Sequence, residues 1–331
     1  MNDAIDFSKD SSGDSSGDSS GDSPDTPDTP DTPSDAVRRE SWPVKGAAEL
    51  EVSVDVGRVT VRLDPDGGEE VTVEVRHDPT VGGGWAQGLT GIVNWLGTAT
   101  GAPGGDPQWL PADAVAAAEI SWSEPARRLV VRSSQELPLR MVPLEVTITA
   151  PRGSRIAART GAGDVTVTGV AGWAAVRTGA GSATLEAVDG DADVTTGSGD
   201  VAVGPVSGRT RVRTGSGAIR LADLRGASDV KAGSGDVELG VVSGDLGVRT
   251  GSGDLRIADA RSGRYELTTG SGELRVGVHA GVTAELDLSS GSGSARSDLE
   301  VGGTAPIGGV AVHVRGRTGS GDVLVTRAVP A

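Results

Sequence analysis

The residues best able to do chemistry are acids placed directly after a glycine: Asp164, Asp200, Asp236, Asp254 and Glu273. They recur at multiples of eighteen residues, with nineteen at the last step. If one turn of chain fills each interval, Asp236, Asp254 and Glu273 stack on one edge, where like charges need an offsetting cation or arginine. Calcium takes about six to eight oxygens. The known nine-residue calcium rolls set their Asp two places after the last glycine, not one. The set therefore reads first as turn-capping carboxylates. A metal at Asp236, Asp254 and Glu273 is the lesser reading, and Arg256 and Arg275 are the competing counter-charges.

A second rank is basic: Arg177, Arg213, Lys231 and Arg249 each precede the residue before a Gly-x-Gly bend. Such a rank could contact an anionic polymer or phospholipid headgroups, and its plain reading is a solvated strand face. The chain has three histidines, His77, His279 and His313, and the repeat register puts none of them beside an acid cluster. Neither a Gly-x-Ser-x-Gly elbow, a His-Glu-x-x-His pair nor a Walker loop occurs. The many Gly-x-Gly pieces return every turn, so they are bends and not a nucleotide fingerprint. No catalytic residue and no cofactor is expected.

What must position these ranks is a glycine that returns every nine residues from Gly163 to Gly253, then from Gly263 to Gly281 after one extra residue. Alternate glycines close a fuller unit, as in Thr196-Gly-Ser-Gly199 and Thr214-Gly-Ser-Gly217, so the true repeat is eighteen residues in two unlike halves. Self-similarity at a fixed period marks a stacked, quasi-one-dimensional fold. Within a half-turn the apolar residues alternate, as in Val201 and Val203 or Ile219 and Leu221, which is the period of a strand. The fold class is all-β: a parallel β-solenoid of eighteen-residue turns, right-handed by the rule for parallel crossovers. Asp193, Arg211 and Asp229 should stack in alternating charge, and the Thr column at Thr178, Thr196, Thr214, Thr250 and Thr269 should face inward beside the bends.

The net charge of −16 is concentrated at the start of the chain, where residues 1–35 hold ten Asp and one Lys. The body is only mildly acidic and lacks a basic block, so nucleic acid is not an expected partner. Ser-Ser-Gly-Asp and Asp-Thr-Pro repeats over 8–36 have nothing to bury, and residues 1–40 read as a disordered acidic tail. The solenoid domain spans 41–331, with regular repeats over 154–295 and a closing segment over 296–331. Residues 80–118 break the pattern. There Trp85, Leu89, Ile92, Val93 and Leu96 lie at helical spacing, and Trp95 and Trp109 add aromatic surface to a chain with only six Trp. A partly helical insertion is expected, and Trp85, Ile92, Val93, Trp95, Leu96 and Trp109 are the candidate interaction residues. No stretch approaches the length of a transmembrane helix, and the first residues lack a secretory signal, so the expectation is a cytoplasmic protein.

Glu51-Val-Ser-Val-Asp-Val-Gly-Arg-Val-Thr-Val61, with serial units ending in Arg317-Thr-Gly-Ser-Gly-Asp-Val-Leu-Val325, resembles the bacterial toast-rack family. Its members carry labels such as adhesin or β-strand-repeat domain of unknown function. The resemblance implies a parallel β-solenoid and an association with envelope-stress modules. It brings no catalytic residues. The function expected is a non-catalytic binding or scaffold module linked to the envelope or to stress. Its partner is a protein or an envelope component, peripheral membrane contact included. The alternatives are a β-helix enzyme acting on polysaccharide and a calcium-binding β-roll. Deleting residues 82–110 separates two roles for the insertion. If it caps the stack, size-exclusion chromatography should show aggregation; if it docks a partner, the variant should stay soluble and lose that partner.

Overall fold

Alternation of apolar and polar residues gives each short segment a buried side and a wet side, and glycines allow the chain to turn a tight corner between segments. The computed structural model describes residues 36–64, 66, 68–80, 110–300 and 310–329. In it the segments are strands of two sheets that face each other. Strands such as Ala183–Val188, Ile219–Leu224 and Val237–Ser243 build the first sheet. Trp173–Ala180, Thr210–Ser216 and Leu246–Ser252 belong to the second. Each strand pairs in parallel with its equivalent one turn away, as Ile219 does with Val237 and Val212 with Val230.

In-register pairing stacks like on like, so the core is a set of side-chain ladders. Val203, Leu221, Leu239 and Ile257 form one ladder from the first sheet, and Val194, Val212, Val230 and Val248 form one from the second. All eight are buried. The corners leave no room for a side chain. Gly235 has φ of 128°, and a Cβ there would stand 2.2 Å from the carbonyl oxygen of Gly217 one turn back. Among the described residues Tyr265 is the one aromatic in the deep core, and it falls in the turn that carries the extra residue. Its hydroxyl donates to the carbonyl of Val242 at 2.8 Å, and burial pushes the phenol up to about 12.

Both ends depart from a simple sequential stack. Glu49–Asp64 is one strand that turns a corner at Gly57. It lies between the turn of 128–151 and the turn of 155–171, so a later segment sits outside an earlier one. Beyond it the pairing turns antiparallel: Val37–Pro43 joins Glu70–His77, which joins Leu144–Pro151, and Glu119–Ser123 joins Arg128–Arg132. Ordered chain thus starts before the Ser41 expected from sequence. Trp42 and Trp122 stack across the two sheets, with ring centres 5.7 Å apart. The helix Leu110–Ala116 buries Ala114 and Val115 against this end. Trp85, Leu89, Ile92, Val93, Trp95, Leu96 and Trp109 lie outside the described residues.

At the other end, the segment expected to close the stack lies inside it. Val312–Ser320 and Val323–Arg327 insert between the turn of 263–278 and the turn of 284–297. The physical reason is composition. Val312, Val314, Val323 and Val325 fill a slot buried on both sides, whereas Ala284, Leu286 and Leu288 in the outer turn are only half-buried. Leu239→Ala should cost about 2–5 kcal/mol in urea denaturation, because so thin a core cannot collapse around the cavity. Leu221→Asp should abolish the cooperative transition altogether.

Candidate binding face

Outward residues of the second sheet form three parallel columns, because register repeats at every turn. One column reads Arg159, Arg177, Thr195, Arg213, Lys231, Arg249, Thr268 and Arg317. Successive members lie about 4.8 Å apart, the spacing of paired strands. Lys231 and Arg213 share Asp229, at 3.4 and 3.9 Å. Arg159, Arg177, Arg249 and Arg317 are exposed and make no ion pair or hydrogen bond with any described residue. The neighbouring column carries the acids, and Asp193 pairs there with Arg211 at 3.9 Å, in the register expected from sequence. Across the second-sheet strands of turns 155–271 and 312–320 there are ten Arg and Lys against three Asp and Glu. A face of that sign stands out on a chain of net charge −16.

Two features break the columns. Arg155 lies over the Trp173 ring, 5.0 Å from its centre. Farther along, Ala227 and Gly247 supply no side-chain bulk, and a shallow notch of about 400 Å³ opens between Arg209, Arg211, Arg264 and the acids Asp229, Asp245 and Glu266. The first sheet has an open groove of about 540 Å³ over Leu221, Leu239 and Gly240, where Arg220 and Glu238 approach to 3.7 Å.

The acid ladder caps turns. Asp236 Oδ1 accepts the backbone N–H of Asp254 at 2.8 Å, and Asp254 Oδ1 accepts that of Glu273 at the same distance. Glu273 in turn receives Arg275 Nε at 2.7 Å. Asp164, Asp200 and Asp322 make the same turn-to-turn bond. The three metal candidates thus stand in one rank, each with an oxygen committed to the fold. Among the described residues no three Asp, Glu or His side chains are grouped to hold a metal ion. The Thr column faces inward: Thr178 and Thr196 donate to the carbonyls of Gly163 and Gly181, both at 3.1 Å.

Two histidines each meet a single acid rather than a cluster. His279 Nδ1 lies 2.8 Å from Asp259, whose other oxygen receives Arg261 Nε at 2.8 Å. Pairing slips by one residue between Ile257 and Ala260, a bulge that repeat counting cannot show. His313 Nδ1 lies 2.9 Å from Glu285, brought there by the inserted last turn.

A family model, Toastrack DUF4097, matches residues 140–326, more than half of the chain. The chain belongs to the Toastrack family. Solved structures similar to this Toastrack chain include a "putative adhesin" from Bacteroides fragilis NCTC 9343. It is 12% identical, with 87% of this chain and 96% of that one covered and a TM-score of 0.41. A "putative cell adhesion protein" from Clostridium sporogenes ATCC 15579 is 12% identical over 88% of this chain and 99% of that one, with a TM-score of 0.21. A "putative adhesin" from Parabacteroides merdae ATCC 43184 is 10% identical over 86% and 95%, with a TM-score of 0.35. No curated protein matches the chain.

Several carboxyls of this Toastrack domain are held below their ordinary values. Hydrogen bonds from Arg132 and Arg128 lower Glu51, and one from Arg39 lowers Glu74. Burial pushes Asp259 up, but bonds from Arg261 and His279 together outweigh it. The Ser294 backbone N–H lowers Asp322. The folded chain therefore binds fewer protons than the unfolded chain near and below the ordinary values of 4.5 and 3.8. Their contribution to stability is complete above about pH 4.5 and is lost as pH falls through the lowered values. Urea midpoints measured from pH 7 to pH 3 should drop most steeply in that range, and Glu51→Gln should make the drop shallower.

Proposed function

We propose that this domain is a non-catalytic binding module and that the outer face of its second sheet is the ligand surface. The observation that carries this reading is the column of unpaired arginines, Arg159, Arg177, Arg249 and Arg317, set in register on a rigid sheet. Desolvated ionic pairs stabilise folds little, and unpaired surface cations less. A rank of them that leaves the fold nothing to gain is accounted for by an anionic partner. Charge of one sign along a rigid strip also raises the rate of encounter with such a partner. In keeping with the family resemblance, an envelope component is the partner class that this reading favours.

The test is cosedimentation of the purified protein with washed bacterial envelope fragments. The wild type should pellet at low salt, and the variant R159Q/R177Q/R249Q/R317Q should stay in the supernatant with its urea midpoint unchanged. Equal pelleting of both proteins, or of neither, would overturn the reading.

A further inference from the structure

Resting on that reading, we propose that the arginine column takes a linear anionic polysaccharide bearing one carboxylate per sugar, laid along the solenoid axis in single file. Three observations converge on this chemistry.

The column has an internal repeat. Arg159, Arg177, Thr195 and Arg213 are followed by Lys231, Arg249, Thr268 and Arg317, so the order basic, basic, Thr, basic occurs twice in consecutive turns. Cations and hydroxyls therefore recur in step over a strip of about 34 Å, at steps close to the length of one sugar in an extended chain. An extended polyanion can contact the whole length of such a strip, whereas a compact ligand would use only part of it.

The strip of uniform sign is one column wide. On one side runs a mixed column, Asp193, Arg211, Asp229, Glu266 and Arg315, whose charges nearly cancel. A broad anionic sheet such as a bilayer surface would meet its acids as well as its arginines. The large apolar residues exposed among the described ones, Val37, Leu137 and Val329, all lie off this face, so none of them gives it an apolar patch to enter a bilayer. Bases of a single-stranded nucleic acid need aromatic platforms, and the outer side of these strands offers Trp173, already covered by Arg155, and His313, already paired with Glu285.

On its other side the strip borders a bare shelf. Six of the eight turns continue into an exposed Gly-Ser pair, as at Gly215 and Ser216 or Gly251 and Ser252, and the turns of Arg159 and Arg177 carry Gly-Ala there. Hydroxyls of Ser198, Ser216, Ser234, Ser252 and Ser271 thus stand in a rank beside the cations. With glycine at the step between, a sugar ring can lie against the backbone while its hydroxyls meet serines and its carboxylate meets an arginine. Carboxylate and guanidinium pair in the two-pronged geometry that favours Arg over Lys.

Fluorescence anisotropy with labelled oligogalacturonate, long enough to span the strip, tests the assignment. Binding should appear at low salt and weaken steeply as salt rises. R177Q/R249Q should weaken it at least tenfold and lower the salt slope by about 1.4–1.8. Glu238→Gln, on the first sheet, should leave it unchanged. Methyl-esterified oligogalacturonate, of the same shape without charge, should not bind. Failure of oligogalacturonate to bind would overturn the ligand assignment. So would indifference to R177Q/R249Q, or tighter binding of a single-stranded oligonucleotide or of vesicles containing anionic phospholipid. If envelope cosedimentation still depends on the four arginines in that case, the binding face stands and the polysaccharide falls. If cosedimentation is indifferent too, both fall.

Discussion

Direct backbone contact between successive turns at the glycine corners is the constraint from which the other features follow. With Gly235 this close to the carbonyl of Gly217, and its counterparts alike, each turn can sit on the last in one register only. A slip of one residue would turn the buried Val, Leu and Thr to water and the outward Arg inward. Register then dictates chemistry as well as packing. Each position of the repeat becomes a column, and whatever residue the repeat favours is multiplied along the axis.

Multiplying a charge is unfavourable, and the molecule meets that cost in two columns and leaves it largely unmet in a third. Where acids stack at the bends, each carboxylate takes a backbone N–H of the next turn, which fixes its place and spreads its charge into the sheet. In the middle column of the second sheet, signs alternate over Asp193, Arg211 and Asp229. In the outer column the cations are left with little local compensation, broken only by threonines. The last arrangement contributes nothing evident to the fold, which is why it points outward to a ligand. The ends obey a different rule. A stack grows until something stops it, and here antiparallel strands stop one end while the more apolar C-terminal turn is held inside the other.

The middle of the molecule was legible in its sequence because two periods, two and eighteen, agree over many turns. Val203, Leu221 and Leu239 are buried, and Thr178 and Thr196 turn inward, as counting predicts. The capping role of Asp236 and Asp254 followed from their place directly after a glycine. Counting could not show that Val312–Ser320 lies between earlier strands, because insertion is a choice between two slots decided by relative apolarity. It could not show the bulge that brings His279 to Asp259. The basic rank was visible as Arg177, Arg213, Lys231 and Arg249. Its extension to Arg159 and Arg317 and its lack of partners needed the third dimension, since acids near in sequence belong to other columns.

The central claim is that in-register stacking turns scattered residues into one continuous strip. The chain contains no cysteine, so spin labels can be placed at Thr195→Cys and Thr268→Cys alone. These positions are four pairing steps apart in one column, and pulsed electron paramagnetic resonance should give a single distance of about 19 Å, offset by the label arms. A broad distribution, or a separation too long for four paired strands, would contradict the account.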